Sequence, residues 1–138
     1  MNVLFDTNII LDVYLNRELF AHDSIKLLKL CEAKRINGAV TANTITDIYY
    51  ILGKTIKDRQ KLTVAILQLL TVISVTDVLS SDITKAFALS IDDYEDALIA
   101  QCAIRTKPDY IITRNKKDFI NSQVPAITPQ EFLAKHFN

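Results

Sequence analysis

The sequence predicts an α/β fold in which helices cover both faces of a parallel sheet. Short apolar stretches, typical of buried strands, alternate with longer segments whose apolar residues recur at helical spacing. Strands separated by helices are joined by crossover connections and run parallel, and parallel sheets are buried on both faces. No linker, internal repeat or low-complexity stretch interrupts this alternation, so residues 1–138 are expected to form a single domain.

The N-terminal half is predicted to contain two strands and four helices. The apolar run at 2–5 ("NVLF") and the segment 38–41 ("GAVT") are typical of short buried strands. In the segment 43–56, Ile48 and Leu52 belong to an apolar stripe with the period of a helix. The four helices are predicted at 8–16, 21–36, 43–56 and 59–70.

The C-terminal half is predicted to contain three strands and three helices. The segments "VISV" and "YIIT" are rich in β-branched residues, which favour strands. Pro129 begins the last helix, because its fixed φ suits the first helical turn. The strands are predicted at 72–75, 110–113 and 126–128, and the helices at 79–90, at 92–106 and from 129 onward.

The composition excludes several classes of function. Lysine plus arginine equal aspartate plus glutamate, at 16 each, so a nucleic acid or a membrane would have to be bound by a local patch. The two glycines, Gly38 and Gly53, cannot form a Walker or a Rossmann phosphate loop. Cys31 and Cys102 lack metal-ligand spacing and fit a reducing cytoplasm. With no signal-peptide pattern and no membrane-length apolar run, we expect a cytoplasmic protein without membrane contact.

Four acids follow predicted strands or open predicted helices. Asp6 comes directly after the first strand, and Asp118 follows the strand "YIIT". Asp47 and Asp96 lie in the first turns of two helices. Because open α/β sheets form their sites at the carboxyl ends of their strands, these carboxylates are expected to converge there. They would repel one another without a cation between them, and oxygen ligands suit Mg²⁺ or Mn²⁺.

Each acid also has a purely structural explanation. Asp6 could cap the helix that follows it, Asp96 could complement the helix dipole, and Asp118 could close a turn. Asp47 is expected on the solvated side of its helix, opposite the apolar stripe through Ile48. The metal site is favoured because all four acids fall on one predicted edge of the sheet.

Three segments together resemble the PIN-domain family, which includes the VapC-type toxins of toxin–antitoxin pairs. They are "FDTNIILDV", "DALIA" and "YIITRNKKDF", and the resemblance covers essentially the whole chain in order and length. The resemblance implies a Rossmann-like three-layer α/β/α sandwich with about five parallel strands in the order 3-2-1-4-5. It also implies a Mg²⁺- or Mn²⁺-dependent endoribonuclease, the toxin of a pair, that forms a homodimer and binds a small antitoxin protein.

The resemblance assigns roles to individual residues. Asp6 and Asp96 match metal-binding acids of the family, and Asp118 supplies the acid after strand 4. The family's second acid is usually a glutamate, and Asp47, one methylene shorter, stands at that position. Asn115 stands where many members have an aspartate. The supporting positions are Thr7, Asn8, Thr113 and Asn115, and the candidates for contacts with RNA phosphates are Arg114, Lys116 and Lys117.

The leading hypothesis is hydrolysis of an RNA phosphodiester by water that Mg²⁺ or Mn²⁺ activates. Asp6, Asp96 and Asp118 would hold the ion, with Asp47 assisting. The alternative is a catalytically weakened or inactive PIN domain that binds RNA or protein. It is supported by the shorter reach of Asp47 and by Asn115, which removes a charge.

Overall fold

The computed structural model describes residues 1–137 and contains a five-stranded parallel sheet. The strands are β1 (Asn2–Phe5), β2 (Asn37–Thr41), β3 (Ser74–Thr76), β4 (Tyr110–Ile112) and β5 (Ala126–Ile127). Their order is β3-β2-β1-β4-β5, so the predicted order 3-2-1-4-5 is confirmed. In the central strand β1, Leu4 is in register with Ala39 on one side and with Ile111 on the other. The strand order reverses between β1 and β4, where open α/β sheets form their crevice.

Helices cover both faces of the sheet, as the alternation predicted. They are α1 (Thr7–Tyr14), α2 (Ala21–Glu32), α3 (Ala42–Leu52), α4 (Arg59–Val72), α5 (Ser80–Ala86), α6 (Tyr94–Thr106) and α7 (Pro129–His136), with a 3₁₀ helix at Lys116–Phe119 that was not predicted. Because strand side chains alternate between faces, Val3 and Phe5 pack with α1 to α4 and α7. Leu4 packs on the opposite face against Ile99 of α6, and α5 lies beside α6. The three-layer α/β/α sandwich is therefore confirmed.

Several boundaries before residue 77 differ from the predicted ones. α1 ends at Tyr14 rather than at 16, and α3 ends at Leu52 rather than at 56. α2 ends at Glu32 rather than at 36, because Lys34 takes a left-handed φ of 59° and turns the chain toward β2. α4 continues to Val72, so β3 begins at Ser74, two residues later than predicted. At the boundary between α4 and β3, apolar residues continue from the helix toward the strand, so the pattern does not mark where the helix ends.

The segment before α6 is less helical than predicted. The helix expected at 79–90 ends at Ala86, and α6 begins at Tyr94 rather than at 92. The side chain of Asp93 caps α6, because its Oδ1 accepts a hydrogen bond of 3.0 Å from the backbone N–H of Asp96. Between residues 1 and 137, no helix combines the length and the apolar character that crossing a bilayer requires.

Candidate functional site

An acidic cleft of about 400 Å³ opens beyond the carboxyl ends of β1 and β4. It lies at the reversal of strand order, where such sheets form their sites. The cleft brings together all four predicted acids and adds two more. The six acids that line it are Asp6, Asp47, Asp93, Glu95, Asp96 and Asp118. Within the described part of the chain, no lysine, arginine or histidine lines the cleft.

Asp6 is the most buried of these acids, with 6% of its surface exposed. It occupies the position before α1, but its side chain makes no capping hydrogen bond. Instead, the hydroxyl Oγ1 of Thr113 donates to Asp6 Oδ2 over 2.9 Å. Burial raises the pKa of Asp6, the hydrogen bond from Thr113 opposes this rise, and the charge of Asp118 adds to it. Helix capping therefore does not account for this carboxylate.

Asp96 lies in the first turn of α6 and is half-buried. Burial, together with the like charges of Asp6, Asp93 and Asp118, raises the pKa of Asp96 to about 7. A carboxylate stabilised by a helix dipole would have a lowered pKa. The electrostatics of this position are therefore those of acids gathered without a positive charge among them.

The structure corrects the expected orientation of Asp47. The buried positions of α3 are Thr44, Ile48 and Leu52, and Asp47 and Ile51 lie beside them and face the cleft. Asp47 is half-buried rather than solvated on the far side of the helix. The apolar pattern misplaced the buried stripe because it gave no weight to a buried threonine hydroxyl.

Glu95 is a cleft residue that the sequence did not single out. Its Oε1 accepts a hydrogen bond of 3.3 Å from Thr7 Oγ1, and its carboxyl group interacts with that of Asp47. The hydroxyl of Thr44 is 3.0 Å from that of Thr7 and 3.1 Å from that of Thr41. Burial, and then the charge of Asp47, raises the pKa of Glu95. The sequence does show that Glu95 directly precedes the predicted acid Asp96 in "YEDALIA". Because consecutive helical residues point in different directions, this position alone did not predict that Glu95 faces the cleft.

Polar groups from β4 and α1 complete the cleft. The backbone N–H of Asn115 donates to the buried hydroxyl of Thr113 over 3.1 Å, which fixes the turn after β4. Asn115 and Asn8 both line the cleft. Asn8 is held from behind, because its Oδ1 accepts a hydrogen bond of 3.1 Å from Arg17 Nη1. The predicted supporting residues are thus gathered around the acids.

The three cations predicted to contact RNA lie outside the lining of the cleft. Arg114 Nε is 3.1 Å from Oδ2 of the buried Asp12 and lines a neighbouring pocket, from which its charge acts to lower the pKa of Asp6. Lys116 Nζ is 2.8 Å from Glu131 Oε1 of α7. Lys117 makes no ion pair with any residue from 1 to 137. Of the three, Lys117 is therefore the cation whose charge the described chain leaves uncompensated.

The chemistry of the cleft fits a hard divalent cation. Its donors are carboxylate and amide oxygens, which Mg²⁺ and Mn²⁺ prefer. Between residues 1 and 137, no three Asp, Glu, His or Cys side chains are already arranged to hold an ion. Side-chain rotation would therefore be needed before three of these acids could hold one cation.

A cleft of acids at the switch point of a parallel sheet defines a class of α/β proteins whose sites are assembled from strand ends. Residues 2–117 match a family model described as the PIN domain. The chain therefore belongs to the PIN-domain family, as the three sequence segments indicated.

Individual relatives extend this assignment. The chain is 24% identical to ribonuclease VapC1 of Aquifex aeolicus (strain VF5) over 139 residues, which cover 96% of this chain and 94% of that protein. It also resembles VapBC2 from Rickettsia felis, solved bound to a DNA fragment from their promoter, with a TM-score of 0.72, 19% identity and coverage of 93% and 98% of the two chains. A toxin–antitoxin complex from Klebsiella pneumoniae gives a TM-score of 0.66 and 25% identity over 92% and 97%.

Proposed function

We propose that this PIN domain is a Mg²⁺- or Mn²⁺-dependent endoribonuclease and the toxin of a toxin–antitoxin pair. The observation that carries the proposal is the convergence in one cleft of the four acids that the sequence predicted, Asp6, Asp47, Asp96 and Asp118. Similarity to ribonuclease VapC1 supports RNA as the substrate. Similarity to toxin–antitoxin complexes supports a small antitoxin protein as a partner, and we infer a cytoplasmic homodimer from the same family resemblance.

The acids have two tasks in this proposal. Asp6, Asp96 and Asp118 would hold the divalent ion, with Asp47 assisting, and Thr113 fixes the Asp6 carboxylate through its hydrogen bond of 2.9 Å. The ion, when bound, supplies an activated water and offsets negative charge on the phosphodiester. Attack of the water oxygen on phosphorus would break the bond to the leaving oxygen, and the proton that the water gives up would balance the one that the leaving oxygen takes up.

Polar and cationic residues around the acids bind the RNA backbone. Asn8 and Asn115 line the cleft and can donate hydrogen bonds to phosphate oxygens. Lys117 lies on the 3₁₀ helix that carries Asp118, so its ammonium can approach a phosphate bound at the cleft. Arg114 has a different task, because its ion pair with a buried acid ties the end of β4 to α1.

A second candidate is a weakened or inactive PIN domain that binds RNA or protein. The shorter side chain of Asp47 and the neutral Asn115 favour it. The described residues also hold no ready-made set of three metal-binding side chains.

RNA cleavage by the purified chain separates the two candidates. We expect cleavage with Mg²⁺ or Mn²⁺, none in EDTA, and a loss of about 10²-fold or more in Asp6→Asn. Asp92→Asn is the matched control, because it removes an exposed acid outside the cleft lining and should retain activity. RNA binding without cleavage under all metal conditions would support the second candidate instead.

A further inference from the structure

We propose that Glu95 is the principal fourth carboxylate of the metal site, ahead of its neighbour Asp47. This inference rests on the proposed metal-dependent function and gives a role to a residue that the resemblance left unassigned. Both residues line the acidic cleft, and they are close enough for the charge of Asp47 to raise the pKa of Glu95. The structure therefore offers two neighbouring acids, and the question is which of them is positioned to bind.

A chain of buried hydroxyls positions Glu95. Thr7 Oγ1 donates to Glu95 Oε1 over 3.3 Å, Thr44 Oγ1 is 3.0 Å from Thr7 Oγ1, and Thr41 Oγ1 is 3.1 Å from Thr44 Oγ1. The exposed fractions of Thr7, Thr41 and Thr44 are only 5%, 0% and 0%. The three hydroxyls come from α1, β2 and α3, so Glu95 of α6 is tied to three other elements of the fold.

The hydrogen bonds of these three hydroxyls all run in the same direction, toward Glu95. A hydroxyl has one proton, and the proton of Thr7 is directed to an ionised carboxylate, which only accepts. Thr7 must then accept from Thr44, and Thr44 must accept from Thr41. Each of the three hydroxyl protons is thus used in a hydrogen bond of this series, and the last of these bonds is accepted by Glu95.

Asp47 lacks such support. From residue 1 to residue 137, no hydroxyl or N–H donates a hydrogen bond to its side chain. Its carboxyl group is also one methylene closer to the backbone than that of a glutamate. The longer acid, although exposed, therefore has a hydrogen-bond donor from the buried hydroxyls, and the shorter one has none; two like charges so close are unfavourable without a cation. Glu95 would supply a further oxygen donor to the ion.

Metal binding measured apart from catalysis tests this assignment. Isothermal titration of Mn²⁺ into the full chain is expected to show a loss of affinity of about tenfold or more in Glu95→Gln. Asp47→Asn should lose clearly less. Asp92→Asn removes the same charge from an exposed position three residues away and should bind like the wild type. Thermal unfolding of each variant checks that it is folded.

Reach and charge are separated by two further variants. Glu95→Asp keeps the charge and shortens the side chain, so it should lose affinity as Glu95→Gln does. Adding Asp47→Glu to the Glu95→Asp variant lengthens the neighbouring acid, so the double variant should recover part of the lost Mn²⁺ affinity. Thr44→Val interrupts the hydroxyl chain and should weaken Mn²⁺ binding in the wild type but add little in Glu95→Gln.

The outcomes distinguish this inference from the proposed function beneath it. Wild-type protein that binds Mn²⁺ and cuts RNA, while Glu95→Gln matches Asp92→Asn, would overturn the role of Glu95 alone. The role of Glu95 would also be overturned if Asp47→Asn reduced the affinity for Mn²⁺ as much as Glu95→Gln does. Wild-type protein that neither binds Mn²⁺ nor cuts RNA would remove both proposals.

Discussion

Buried acids occur in two settings in this molecule, and the two are opposite in their electrostatics. Behind the cleft, Asp12 is fully buried between two arginines, with its carboxylate oxygens 3.1 Å from Arg17 Nη1 and 3.1 Å from Arg114 Nε. Between α5 and α6, the fully buried Asp82 lies 2.9 Å from Arg105 Nη2. Each of these carboxylates is neutralised by a residue distant in the chain.

The acids of the cleft have no such partners. In the described chain, Asp6 and Asp96 make no ion pair, and their nearest charged neighbours are mostly other acids. Burial raises the pKa of both, to about 7 for Asp96. Burial also acts to raise the pKa of Asp82, but hydrogen bonds from Arg105 hold it below the usual range.

The comparison shows that two arginines of the fold pair with a buried acid behind the cleft rather than with the acids that line it. Arg17 binds Asp12 and also holds Asn8 of the cleft, while Arg114 sits against Asp12 and over the ring of Phe20, 4.2 Å from its centroid. These arginines stabilise the walls of the cleft and stay out of its lining. The acids in the lining consequently keep their capacity to bind a cation, at a cost in stability.

The largest expected effect comes from breaking the neutralised set. Asp12→Asn leaves two arginines without their shared counter-charge, and we expect a loss of about 3–5 kcal/mol in the free energy of unfolding, toward the lower value because both arginines are partly exposed. Urea denaturation at neutral pH in EDTA measures it. Asp6→Asn is the matched variant from the cleft and should unfold at the same or a higher urea concentration. Equal losses in the two variants would contradict the comparison.

Asp82→Asn should cost somewhat less, about 2–3 kcal/mol, and its effect should depend on pH. The pKa of Asp82 is lowered in the folded state from an ordinary value of 3.8. Its contribution is therefore fully present above that ordinary value and is lost as the pH falls through the folded pKa. Unfolding of wild type and variant should differ at pH 7, and the difference should shrink once the pH falls below 3.8. Hydrogen exchange should locate the loosening at α5, since Asp82 also accepts from the N–H of Leu79 at its start.

Asp96→Asn should have a smaller effect of opposite sign. The pKa of Asp96 rises from 3.8 to about 7 on folding, so the native chain binds a proton that the unfolded chain releases between these values. Wild-type stability in EDTA should thus fall as the pH rises from about 4 to 7, while the variant is unaffected by this group. Because the side chain is only half-buried, we expect a gain of about 1 kcal/mol at pH 8 and little at pH 4. A gain of equal size at both pH values would rule out this explanation.

Most of the fold could be predicted from apolar periodicity, whereas the site could be predicted only in part. β1 has its predicted bounds because an apolar run in a buried strand leaves few alternatives. Asp47 was misplaced because the polar Thr44 is buried and its hydroxyl lies 3.0 Å from that of Thr7. Glu95 was missed because its hydrogen bond comes from the same group of hydroxyls. Such contacts join residues far apart in the sequence, and no local pattern reports them.

The cations show the same limit. Arg114 was predicted to contact RNA from its place in "TRNKK", yet its partner Asp12 lies about a hundred residues earlier. Lys116 and Lys117 carry the same charge in the same turn but differ in their surroundings. Lys116 is paired with Glu131, whereas Lys117 makes no ion pair within residues 1–137. A sequence can therefore indicate a basic turn but not which of its charges is available.

The smallest expected effects on stability belong to these two lysines, and they extend the comparison to the surface. Lys116→Ala and Lys117→Ala should each change the free energy of unfolding by less than about 1 kcal/mol, because exposed ion pairs contribute little. RNA affinity should separate them. In an Asp6→Asn background, which prevents cleavage, Lys117→Ala should reduce the slope of log affinity against log salt by about 0.7, as expected for one lost contact to single-stranded phosphate. Lys116→Ala should change the slope less, because Glu131 already compensates its charge; a larger change for Lys116 would mean that RNA displaces that ion pair.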